Sequence, residues 1–221
     1  MTSKNLPMIK AVLWDFGGVI TTSPFEAFNR FERDNDLPQD IIRRINATNP
    51  HTNAWAKLES SQISVDEFDE AFAEEARSLG HEIRGQQVLA LLSGDLRPRM
   101  VSALEVIREK FKTGCITNNV RNQGEGPGMA SNADRAGRIA EVMDMFDVVI
   151  ESSKVGIRKP NPEIYRIACR EMKIEPGEAV FLDDLGINLK PARDLGMTTI
   201  KVLNVDQALS DLGTHLDMEF A

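Results

Sequence analysis

Five short apolar runs punctuate the chain: MIKAVLWDF (8–16), TGCITNN (113–119), DVVIES (147–152), EAVFLDD (178–184) and MTTIKV (197–202). Each is closed by polar or glycine residues, as expected for parallel strands buried on both faces. Between the later runs, apolar positions recur at helical spacing over about 99–111, 132–144, 161–172 and 188–195. That alternation predicts an α/β fold, a Rossmann-like parallel sheet with helices on both sides.

The stretch from Pro24 to Leu92 breaks the alternation. It holds no convincing strand and reads as successive helices. In SVDEFDEAFAEEARSLG, Ser64 is placed to cap the start and Gly80 to stop the end. Inserted after the first strand, these helices predict a small cap over the carboxyl edge of the sheet. The expected division is a core of residues 1–22 and 93–221 with a cap of residues 23–92. Phe25, Phe28, Phe31, Trp55, Phe68 and Phe72 fall at roughly helical spacing. Most read as the cap's own core, with one or two facing a substrate pocket. The glycine-rich NQGEGPGMASN (122–132) reads as a loop, and its G-x-G spacing follows no dinucleotide-type βα unit.

Composition narrows the function. With 221 residues and 42% hydrophobic content, the chain can form one α/β domain with a smaller appended unit. A net charge of −8 argues against nucleic-acid binding, which needs a basic patch to neutralise phosphates. No apolar stretch approaches the roughly 18 residues of a membrane span, and MTSKNLPMIK lacks the apolar core of a secretory signal. Cys115 and Cys169 lie far apart and read as reduced thiols of a cytoplasmic protein. His51, His81 and His215 show no metal-ligand spacing. A homodimer is left open.

In doubly wound sheets, ligands bind outside the carboxyl ends of the strands. Those ends carry Asp15, then Thr117 and Asn118, then Asp183 and Asp184, while Lys159 precedes the helix after the third strand. Taken singly, Asp15 could cap a βα turn, Thr117 and Asn118 could form a turn, and Lys159 could be a solvated loop charge. The Asp183–Asp184 pair is harder to dismiss, because adjacent carboxylates repel unless a cation or donors compensate. Together the residues form one chemical set. Asp15 and Asp184 offer hard oxygen ligands for Mg²⁺, Thr117, Asn118 and Lys159 offer donors to phosphoryl oxygens, and an aspartate can attack phosphorus.

The ordered set DFGGV, ITNN, IRKP and FLDDLGINLKPARDLG resembles the haloacid dehalogenase (HAD) superfamily over essentially the whole chain. Within it, VIESSKVGIRKPNPEIY and VFLDDLGINLKPARDLGMTTIKV look much like stretches of the amino-terminal phosphatase domain of soluble epoxide hydrolases. A similar domain is fused to some acyl-CoA dehydrogenases. The resemblance implies a Mg²⁺-dependent phosphohydrolase acting on a small phosphorylated metabolite through an aspartyl-phosphate. By it, Asp15 is the nucleophile, Thr117 binds a phosphoryl oxygen, Asn118 contacts substrate, and Lys159 pairs with phosphate and nucleophile. Asp184 holds Mg²⁺ with Asp183 beside it, and Asn188 orients the Asp184 carboxylate or a water.

One position departs from the pattern. The family's phosphatases usually carry a second aspartate two residues after the nucleophile, as general acid and then base. Here that residue is Gly17. Its backbone carbonyl remains available as a metal ligand, and Gly17 and Gly18 let backbone N–H groups approach a phosphate. Glu26 and His51 lie in the chain region from which a replacement acid could come, and neither is assigned. Two alternatives stand beside the phosphatase: a catalytically reduced protein binding a phosphorylated ligand or partner, and a metal-independent hydrolase of the haloacid dehalogenase type.

Overall fold

A computed structural model describes residues 8–120 and 133–220, leaving aside the side chains of 133–135. The apolar runs form strands β1 (Ala11–Trp14), β2 (Lys112–Thr117), β3 (Val148–Glu151), β4 (Ala179–Asp183) and β5 (Thr198–Lys201). They make one sheet in the order β3-β2-β1-β4-β5, and each neighbouring pair is parallel. The strands are shorter than the runs predict, because Asp15, Asn118 and Asp184 leave the ladder at its carboxyl edge.

The side chains of β1 show why its run is apolar throughout. Val12 and Trp14 point to one face, Ala11 and Leu13 to the other, and all four are fully buried. The α-helices are α1 (Pro24–Asp34), α2 (Ile41–Ala47), α3 (Ala54–Glu59), α4 (Val65–Ser78) and α5 (Gly85–Leu89), then α6 (Pro98–Ile107), α7 (Ala133–Met143) and α8 (Ser152–Val155). The chain ends with α9 (Pro162–Met172), α10 (Gly186–Asp194) and α11 (Val205–Leu216). Apolar residues of α6, α7 and α11 cover the Val12–Trp14 face, and those of α9 and α10 cover the other. Of the glycine-rich stretch 122–132, nothing lies within the described residues.

Helices α1–α5 bury an apolar cluster of their own around Phe28, Ile42, Phe68 and Phe72. Its ends are set by local chemistry. Ser64 and Glu67 form a reciprocal capping box at the start of α4, and Gly80, at φ +83°, follows its end. Glu32 accepts from the Asp40 and Ile42 N–H groups at 2.7 and 3.0 Å, so α1 holds the first turn of α2. The chain enters and leaves this helical insert along paired segments, with Thr22 N–H donating to Asp95 O and Arg97 N–H to Ile20 O, both at 2.8 Å. Among the described residues, no helix is long and apolar enough to cross a membrane. Cys115 and Cys169 are buried and unbridged.

Candidate active site

Parallel pairing carries the ends of β1 and β4 to the same edge, where Asp15 donates its N–H to Leu182 O at 2.8 Å. The Asp15 carboxylate accepts the N–H of Phe16 at 2.7 Å, which fixes the side chain against its own turn. Lys159 reaches this point from the loop before α9. Its side chain is 1% exposed, and its ammonium lies 2.8 Å from Asp15 Oδ1 and 2.7 Å from Asp183 Oδ2. Asp183, fully buried at the end of β4, also accepts from Leu185 N–H at 2.8 Å and from the Asn188 amide at 3.0 and 3.1 Å. Asp184 stands one residue farther out, where Ser23 Oγ donates to it at 3.4 Å.

Asp15, Asp183 and Asp184 each place a carboxylate oxygen within 4.8 Å of the others. Three carboxylates thus meet one ammonium in a poorly solvated site. Burial raises the Asp15 pKa well above the usual carboxylate range, and the charges of Asp183 and Asp184 add to the rise against the pull of Lys159. Burial, then Asp183, pushes Asp184 up to about 6. Burial alone would lower the Lys159 pKa, but Asp15 and Asp183 outweigh it and hold the ammonium above the ordinary lysine range. Such a surplus of negative charge is a setting for a hard cation with oxygen ligands.

The two glycines after Phe16 behave differently. Gly18 has φ +79°, and a Cβ built on it would lie 2.2 Å from Asp184 Oδ2, so the close approach of this turn to the carboxylate requires glycine. Gly17 is extended at φ −69°, and a Cβ there would meet nothing within 4 Å. The space in front of it opens into a cavity of about 520 Å³.

The sheet edge contributes Asp15, Gly17, Asn118, Lys159, Asp184 and Asn188 to that cavity, and the insert contributes Phe25, Phe28, Arg43, His51, Trp55 and Glu59. Thr117 is buried at the end of β2. The Asn118 amide brackets the backbone of Lys159, accepting its N–H at 2.8 Å and donating to its carbonyl at 3.0 Å. Asn188, expected to orient the Asp184 carboxylate or a water, donates its amide to both carboxylate oxygens of Asp183. His51 lines the cavity; Glu26 is exposed and does not.

The sequence reading missed three contributors. Ser23 touches Asp184, while Arg158 donates through Nε to Glu59 Oε2 at 2.6 Å. Arg158 had a signal in its adjacency to Lys159. Glu59 had none, being 99 residues away from its partner.

A family model described as haloacid dehalogenase-like hydrolase matches residues 9–196. Bifunctional epoxide hydrolase 2 of Mus musculus is 31% identical over 217 residues, which cover 92% of this chain and 38% of that protein. The chain thus spans well under half the length of that relative. Phosphatase MT3486 of Mycobacterium tuberculosis is 30% identical over 226 residues, covering 95% of this chain and 97% of that protein. Among solved structures, a HAD-family enzyme of Bacteroides thetaiotaomicron, in complex with magnesium and inorganic phosphate, superposes with a TM-score of 0.58. It is 23% identical and covers 87% of this chain and 93% of its own, a likeness of fold.

Proposed function

Because this chain belongs to the haloacid dehalogenase-like hydrolases, we propose that it is a magnesium-dependent phosphohydrolase of small phosphorylated metabolites, with Asp15 as nucleophile. The observation that carries this reading is the convergence of Asp15, Lys159, Asp183 and Asp184 from three separate chain segments onto one cavity edge. The phosphatase relative and the magnesium–phosphate complex of a fold neighbour support it.

In this reading Asp15 attacks phosphorus, the bond from phosphorus to the leaving oxygen breaks, and an aspartyl-phosphate forms for water to hydrolyse. Lys159 opposes the rise that burial imposes on the Asp15 pKa, and it balances phosphoryl charge. Thr117 donates its hydroxyl to a phosphoryl oxygen. Asn118 acts chiefly by holding the Lys159 backbone, and Asn188 by holding Asp183. Magnesium, held by Asp15, Asp184 and the Gly17 carbonyl with Asp183 behind, would supply the remaining charge neutralisation. Residues 23–92 act as a cap that shields the site from water, on a core of residues 1–22 and 93–221.

Gly17 shapes the substrate class. With no side chain there to protonate the departing oxygen, the reaction favours leaving groups that are already acidic, such as those of acyl or anomeric phosphates. General acid help of about 10²–10⁴-fold is forgone on alkyl esters. The same glycine favours a second reading, a protein that binds phosphorylated ligands without turning them over.

One assay separates these readings. Phosphate release from a panel that includes acetyl phosphate and alkyl phosphates is measured with Mg²⁺, with EDTA, and in Asp15→Asn. The phosphatase reading expects release that EDTA and Asp15→Asn both abolish. Binding of those phosphates without release supports the second reading, and halide release from a 2-haloacid added to the panel, if it survives EDTA, supports attack at carbon.

A further inference from the structure

Glu59 is a buried carboxylate on the insert that the chemistry above leaves idle, and its surroundings are specific. Oε1 accepts the indole N–H of Trp55 at 2.9 Å, and Oε2 accepts Arg158 Nε at 2.6 Å, with the Asn118 amide at 3.4 Å. Arg158 is the residue before Lys159, and it also donates through Nη1 to Pro50 O of the insert at 2.9 Å. Asn118 is the residue that clasps the Lys159 backbone from both sides. An unbroken series of bonds therefore runs from the insert, through Glu59, to both groups that fix the stretch of backbone bearing Lys159.

A packing role alone does not account for this. Burying a paired carboxylate is a poor way to gain stability, and an apolar pair of equal volume does as well or better. Burial pushes the Glu59 carboxyl above its ordinary range, and Arg158 works against that rise. The insert touches the core elsewhere without such expense, as where Ser61 Oγ donates to Ser153 O at 2.9 Å.

We propose that Glu59 is a positioning residue: the seated cap, through Glu59, sets Arg158 and Asn118 and so holds Lys159 in register with Asp15. The inference rests on the phosphohydrolase reading and adds to it a coupling between cap seating and assembly of the reacting groups. Lys159 is then aligned when the insert is docked over the cavity, and less well when it is not.

The test compares wild type, Glu59→Ala, Glu59→Gln, Arg158→Met and the Glu59→Ala/Arg158→Met pair with p-nitrophenyl phosphate and Mg²⁺, with Ser61→Ala as a control. Misplacing a catalytic group by about 1 Å costs on the order of 10²-fold, so Glu59→Ala should lower kcat about 10–100-fold and move KM far less. Glu59→Gln, which keeps an acceptor for Arg158, should recover part of the loss. The double variant should be no worse than the poorer single one, as for residues acting through one contact. Ser61→Ala should keep its kcat.

In a ¹⁵N-edited spectrum the Trp55 indole signal should shift in Glu59→Ala while that of Trp14 stays, showing that the fold persists. If Glu59→Ala does not fold, Arg158→Met carries the same test from the core side. An active wild type whose Glu59→Ala and Arg158→Met variants keep kcat overturns the inference alone. A fall in KM at constant kcat does the same, since it would mean that Glu59 merely repels the anion. A wild type without turnover overturns the phosphatase reading and this inference with it.

Discussion

Replacing Lys159 by methionine keeps most of the side-chain volume and removes the ammonium that lies 2.8 Å from Asp15 and 2.7 Å from Asp183. Both carboxylates are then buried without their counter-charge, beside Asp184. Breaking a buried ion pair from one side costs about 3–5 kcal/mol. A second route sets a ceiling. A stranded carboxyl escapes by taking up a proton, and from an unfolded pKa near 3.9 to pH 7 that costs about 1.4 kcal/mol per pH unit, or at most about 4 kcal/mol, less what the already raised Asp15 costs wild type. For a chain of this length the loss corresponds to a fall in Tm of roughly 8–16 °C. The sign of the pH dependence follows from the direction of the shift. A carboxyl with a raised pKa binds a proton in the folded state that the unfolded chain does not, so stability falls as pH rises. The deficit of Lys159→Met against wild type should therefore be small near pH 5 and grow toward pH 8. Urea denaturation followed by circular dichroism at both pH values measures it. A variant as stable as wild type at pH 8, or one whose deficit shrinks as pH rises, would refute the charge balance drawn for this site.

Gly18→Ala should destabilise the protein by at least about 1–2 kcal/mol from its left-handed backbone alone, with weaker Mg²⁺ binding as the new methyl displaces Asp184; thermal unfolding and calorimetry with Mg²⁺ check both. Gly17→Ala, one residue away, has compatible backbone and open space, and should be neutral or gain about 0.4–1 kcal/mol in the same unfolding assay. Gly17→Asp should raise kcat/KM on alkyl phosphates by up to about 10²–10⁴-fold and leave acyl phosphates nearly unchanged, read as phosphate release. Phe72→Ala, at a fully buried position of the insert, should cost about 3–5 kcal/mol in urea unfolding.

The sheet was legible because a strand covered on both faces must be apolar throughout, and Ala11–Trp14 displays this without interruption. The convergence of Asp15, Lys159 and Asp184 was legible because strand ends and the loops that follow them gather at the carboxyl edge of such a sheet, which makes position along the chain a proxy for position in space. That proxy fails for side-chain direction. The resemblance puts Asn188 on the Asp184 carboxylate or a water, yet its amide donates to Asp183. It fails more completely for Glu59 and Arg158, whose contact depends on how the insert seats over the sheet, a property that no local pattern encodes. The difference between Gly17 and Gly18 was equally hidden, since the positive φ of Gly18 and the approach of Asp184 to it tell the two apart.

The central claim, that Asp15 takes the phosphoryl group, is tested most directly by acid-quenching the protein during turnover of acetyl phosphate with Mg²⁺. Borohydride reduction and peptide mass spectrometry then locate any acyl-phosphate. With no carboxylate at position 17 to activate water, the intermediate should accumulate. The account predicts that the aspartyl-phosphate-derived homoserine falls at residue 15 and that Asp15→Asn yields neither label nor phosphate. Steady phosphate release with no modified aspartate, or release that persists in Asp15→Asn, would contradict it.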